Sequence, residues 1–115
     1  MNYQNHINYK EFENIDIRVG TVIEAYEYNE LKKPSIVMKI DFGEKIGTKK
    51  TSAQLQKNYN VDELINKQVI AVINFEPKQI GKITSEVLVL GVPDLESDPV
   101  LLSPDKSVSN GGKLF

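Results

Sequence analysis

A small all-β barrel is the fold class that this 115-residue chain predicts, and three patterns predict it. Residues 15–26 alternate, with Ile15, Ile17, Val19, Thr21, Ile23 and Ala25 on one side and Asp16, Arg18, Glu24 and Tyr26 on the other. Residues 35–42 alternate again, turning Ile36, Met38, Ile40 and Phe42 inward. A period of two along a segment marks a strand with one buried face. Residues 69–75 and 86–92 are instead nearly continuous apolar runs, as expected of strands covered on both faces.

The remaining elements follow in order. Residues 1–11 show neither period and read as an N-terminal tail, leaving residues 12–115 as a single domain. Gly20 interrupts the first strand, which predicts a bulge or bend that helps close the barrel. Residues 29–34 form a loop, and Gly43 ends the second strand. Residues 46–52 make a polar third strand, on which Lys49 and Lys50 point to opposite faces. Leu55, Tyr59, Val61, Leu64 and Ile65 fit one or two short helical turns, with Ser52 placed to cap them. After the fourth and fifth strands come a turn-rich loop at 93–99, a short strand at 100–102, and turns at Pro104-Asp105 and Asn110-Gly111-Gly112. Phe42 and Phe75 continue inward-facing patterns and are expected in the core. Tyr26, Tyr28 and Tyr59 are expected at the surface.

Composition narrows the chemistry. With no cysteine there is no disulfide, thiolate nucleophile or Cys-based zinc site. The single histidine, His6, sits in the polar tail and cannot build a His cluster. The carboxylates are scattered among turns, and no Gly-rich phosphate loop occurs, so neither an enzyme nor a bound cofactor or metal is expected. No run approaches the ~18 apolar residues of a membrane span, and the N-terminus lacks the apolar stretch of a signal peptide. A cytoplasmic location without membrane insertion is the expectation. Fourteen basic against sixteen acidic residues give a formal charge of −2, short of the basic excess usual in a dedicated nucleic-acid binder.

Residues 74–90 hold the best candidate site. An apolar run ends at Phe75, Pro77-Lys78 turns the chain, and the polar segment 82–86 leads into Val87-Leu88-Val89-Leu90. That layout puts Lys78, Lys82, Thr84 and Ser85 at a sheet rim, where loops commonly bind ligands. Asn74, Pro77, Lys78, Ile80, Gly81, Ser85 and Glu86, together with Asp16-Ile17-Arg18-Val19-Gly20 and Ser52-Ala53-Gln54, resemble the tRNA-binding domain superfamily of OB-fold modules. Ser85-Glu86-Val87-Leu88-Val89-Leu90-Gly91 is most similar to its CsaA branch of export-related chaperones. Many superfamily members carry Gly-Met where this chain has Val87-Leu88.

The resemblance implies a five-stranded OB-fold barrel with a short helix between the third and fourth strands. It implies a non-enzymatic homodimer that binds unfolded or export-destined precursor polypeptides, with Phe42, Val87 and Leu88 walling a peptide groove. The alternative it carries is tRNA, recognised by shape through Lys49, Asn74, Lys78, Lys82 and Ser85. Residues 100–104 and 108–114, with the loops beside them, carry the part of the resemblance that implies two-fold pairing of subunits, and the terminal Leu114-Phe115 is unusually apolar.

Overall fold

The computed structural model describes residues 5–30 and 32–115. The first four residues of the expected tail, and Leu31 in the expected loop at 29–34, lie outside the described residues. The end of the expected tail and the two residues after it form a helix, α1 (Tyr9–Glu13), entered through a capping box in which Asn8 and Glu11 satisfy each other's backbone amides. The long first strand is β1 (Ile17–Tyr28), followed by β2 (Ser35–Asp41) and β3 (Thr48–Ala53). Helix α2 (Val61–Leu64) precedes β4 (Gln68–Val72), and then come the short strands β5 (Lys78–Ile80), β6 (Ile83–Ser85), β7 (Leu88–Val89), β8 (Gly91–Pro93) and β9 (Pro99–Leu101). The cap of α2 is Asn60, whose side chain accepts from Glu63 N at 2.9 Å. Ser52, expected in that role, lies within β3 opposite Val37.

All strand pairings are antiparallel, and the main sheet runs β3-β2-β1-β4-β7. It curls until β3 meets the segment after β6. There Glu86 N donates to Lys50 O at 2.8 Å, Lys50 N donates to the Glu86 carboxylate at 3.0 Å, and the Thr51 hydroxyl donates to Val87 O at 2.8 Å. The architecture is an OB-fold, as the resemblance implies, with its helix between β3 and β4.

Inside the barrel Val22, Ile36, Met38, Ile40, Phe42, Leu55, Leu64, Val69, Ala71 and Val87 form one cluster. Gly20 is required by close packing: a Cβ there would stand 2.6 Å from Ile40 Cγ2 and 2.7 Å from Phe42 Cδ1. The irregularity in β1 falls beyond it, between Val22 and Glu24. The expected single inward row on β1 is therefore wrong. Ile17 and Val19 pack outside the barrel with Ile70 and Val72, under Phe12, Leu90 and Leu114, while Ile23 at the irregularity is exposed. β4 is buried on both faces because it divides the two clusters, Val69 and Ala71 inward, Ile70 and Val72 outward.

The second apolar run behaves differently. Within residues 86–92 only Val87 is buried, and the run splits into β7 and β8 around Leu90. Leu90 N donates to Ile70 O, and Leu90 O in turn accepts from Leu102 N.

The C-terminal segment takes up the free edge of the first half of β1. Gly111 N donates to Val19 O (2.8 Å), Val19 N to Gly112 O (3.0 Å) and Leu114 N to Ile17 O (2.9 Å). Arg18 adds a bond from its guanidinium to Gly111 O at 2.9 Å while pairing with Asp16 at 2.6 Å. The Asp16–Arg18 pair is thus structural, as its place on the polar side of β1 suggests.

Candidate functional site

The β5–β6 hairpin stands off the main sheet and makes one wall of an open cleft. Its register pairs Lys78 with Ser85, Gln79 with Thr84 and Ile80 with Ile83. Ile83 anchors the hairpin by packing on Tyr28 and Val37, and the Tyr28 hydroxyl accepts from Lys82 N at 3.2 Å. Tyr28 is accordingly buried rather than at the surface. Between hairpin and barrel lies a cavity of about 610 Å³ lined by Thr51 and Ser52 of β3, Phe75 and Glu76, Lys78 and Ile80, and Ser85 to Leu88.

This lining is apolar at its centre and charged at its edges. Val87 forms a buried floor, and Leu88 rises from it about half exposed. Phe75, expected in the core, is 56% exposed and faces this space. The reason is local: β4 ends at Val72, so Phe75 lies past the last ladder pair, and Pro77 further on cannot donate to a ladder. Phe42 is the reverse case. It is 1% exposed inside the barrel and does not line the cleft, so it drops out of the expected groove wall.

The polar candidates divide sharply by what already holds them. Asn74 spends both ends of its amide on the N-terminal segment, accepting from Asp16 N at 3.0 Å and donating to Asn14 O at 2.8 Å. Ser85 lies 3.0 Å from the Thr51 hydroxyl, part of the closure between β3 and β6. Lys49 stands 4.0 Å from the Glu86 carboxylate. Lys82 is 83% exposed at the hairpin tip, 4.0 Å from Glu30. Lys78 is exposed on the cleft side and makes no ion pair among the described residues.

Lys49, Asn74, Lys78, Lys82 and Ser85 therefore do not form one open basic patch. Lys78 and Ser85 share the cleft, Lys82 leaves it for the tip, Asn74 braces the strand that enters it, and Lys49 neutralises a carboxylate at its edge. On the opposite side of β3 from Lys49, Lys50 lies across from Lys39, which is itself held 3.2 Å from the Glu24 carboxylate.

Away from the cleft, Asp94 organises the 93–99 loop. Its carboxyl is held below the usual carboxylate range by the Asn58 amide, with the backbone amides of Asp98 and Glu96 assisting. Among the described residues no group of three or more His, Asp or Glu side chains is placed to hold a metal ion. No helix among them is long and apolar enough to cross a membrane.

Comparison with known proteins agrees with this architecture. The family described as "Putative tRNA binding domain" matches residues 17–113. The chaperone CsaA of Bacillus anthracis superposes with a TM-score of 0.89 at 45% identity, covering 96% of this chain and 100% of that one. The CsaA chaperone protein of Picrophilus torridus gives 0.87 at 48% identity, with the same coverage. Among curated sequences, the methionine–tRNA ligase of Pyrococcus horikoshii is 38% identical over 95% of this chain, which spans only 14% of the ligase. This chain belongs to the tRNA-binding domain family, and within it to the CsaA branch.

Proposed function

We propose that this protein is a non-enzymatic chaperone that holds extended apolar segments of unfolded or export-destined polypeptides in the cleft beside the β5–β6 hairpin. The observation that carries this reading is the exposure of Phe75 and Leu88 around the buried Val87 floor. Large apolar side chains grouped on an open concave surface are what an extended apolar segment needs. The two CsaA relatives, both chaperones, support it as well. Suppression of the aggregation of an unfolded client, in the absence of ATP, tests it. Aggregation that proceeds unchanged at a molar excess of the protein would refute it.

A second reading is tRNA binding, favoured by the family match and by the exposed cationic side chains of Lys78 and Lys82 on the hairpin. Each phosphate contact contributes about −0.7 to −0.9 to the slope of log K against log salt. On this reading, replacing Lys78 and Lys82 together with Ala weakens tRNA binding and flattens that slope by about one to two units. Unchanged affinity in the double variant would take this hairpin out of any RNA site.

The working form is a cytoplasmic homodimer. A shallow apolar depression lined by Val19, Ile70, Pro104, Val108 and Leu114, with Phe115 fully exposed beside it, supports that assignment. Sedimentation at low micromolar concentration should give twice the monomer mass. A folded full-length monomer would contradict it.

A further inference from the structure

Position 111 strongly disfavours any side chain, and that preference for glycine leaves the chain with a chemically labile pair. Gly111 has a φ of +93°, and a Cβ on it would stand 2.6 Å from Phe42 O. Asn110 precedes it. An asparagine followed by glycine is the sequence most prone to cyclise, because no side chain hinders the next backbone nitrogen. Asparagine is among the thermolabile residues for this reason.

We infer that Asn110 is a site of spontaneous deamidation whose chemistry is held in check by the folded C-terminal segment. The reaction needs the Gly111 amide nitrogen to lose its proton and attack Asn110 Cγ. The Cγ–Nδ2 bond then breaks, and ammonia leaves with that proton. Water opens the resulting cyclic imide at either carbonyl, giving aspartate, or isoaspartate with the backbone routed through the side chain.

Both partners are restrained here. The Gly111 N–H is spent on Val19 O at 2.8 Å, which hinders its deprotonation and its swing towards Cγ. Asn110 Oδ1 accepts from the Thr21 hydroxyl at 2.7 Å and from Gln68 Nε2 at 3.1 Å, which fixes Cγ in place. Gln68 also clamps the approach to the turn, donating to Val108 O at 2.7 Å and accepting from Val108 N at 3.1 Å. Cyclisation must therefore wait for local opening of this segment, an event whose free energy lies between zero and that of global unfolding.

The two products differ in consequence. Aspartate keeps an oxygen where Oδ1 sits, and both of its present partners are donors, so the segment can re-seat. Isoaspartate lengthens the backbone by one carbon ahead of Gly111. It misplaces the bonds from Gly111 N to Val19 and from Arg18 to Gly111 O. A transient opening is thereby converted into permanent loss of the strand-like cover on β1.

The test is peptide mapping of the full-length protein after incubation in mildly alkaline buffer. Trypsin releases residues 107–113, in which Asn110 is the sole amide side chain. The amide-to-acid mass increase, and separation of the two acid isomers, are read on that peptide. Conversion should be rapid in denaturant and slower by at least about tenfold in the folded protein, with folded Thr21→Val between the two. Equal rates in folded and denatured protein, absence of conversion in denaturant, or a folded Thr21→Val rate equal to that of the unsubstituted protein would each overturn the inference.

Discussion

Gly111→Ala should lower stability by about 3 kcal/mol or more, among the most damaging single-methyl additions available in this chain. The added Cβ meets Phe42 O at 2.6 Å on a backbone with φ +93°, so neither neighbour can yield without moving β2 or the C-terminal segment. For a domain of this size the thermal midpoint should fall by about 10 °C or more. Gly47→Ala is the matched control. Its φ of +85° carries the same conformational cost, but nothing lies within 4 Å of the new Cβ. About 1 kcal/mol is expected there. Equal losses in the two variants, measured by denaturant unfolding, would mean that the contact with Phe42 contributes nothing and that the C-terminal segment does not hold β1.

Phe75→Ala should abolish most client capture while leaving the fold intact. Few positions separate binding from stability so cleanly. The ring is 56% exposed and belongs to none of the three core clusters, so its removal should change stability by no more than about 0.5 kcal/mol. Aromatic anchors in a binding cleft commonly carry 2 kcal/mol or more, which corresponds to a loss of about thirtyfold in affinity. Leu88→Ala should weaken capture less, since the aliphatic side chain offers a smaller contact area. Retained suppression of client aggregation by a folded Phe75→Ala protein would move the polypeptide site elsewhere.

How much of this was legible in the sequence depends on how local each signal is. The inward row Ile36, Met38, Ile40 and Phe42 reads directly from period two, because β2 is regular and pairs on both sides. The double burial of β4 reads from its unbroken apolar run. In β1 the same rule misled, since a single irregularity after Val22 and an outer cluster around Ile17 and Val19 give both faces apolar neighbours. Nothing local announces that outer cluster, whose cover comes from Phe12 and Leu114 at opposite ends of the chain.

The site followed the same division. The Pro77–Ser85 segment is legible as a rim, because its turn residues interrupt two apolar runs. The exposure of Phe75 is not legible from the run that contains it, although the ladder's end at Val72 and the proline at 77 are the signals that correct it. The engagement of Asn74 with Asn14 and Asp16, and of Lys49 with Glu86, depends on pairs 37 or more positions apart. Side-chain identity alone could not distinguish these braces from free ligand contacts.

The proposed function has the cleft beside the β5–β6 hairpin take apolar polypeptide in preference to RNA. Its most direct measurement is calorimetric titration of one purified sample with a reduced, permanently unfolded protein and with total tRNA, each at low and high salt and at several temperatures. Polypeptide binding is expected with a negative heat-capacity change and to survive added salt, as apolar burial requires, alongside weaker tRNA binding that salt removes. Tight tRNA binding, with no heat evolved or absorbed on addition of the unfolded polypeptide at any of those temperatures, would contradict it.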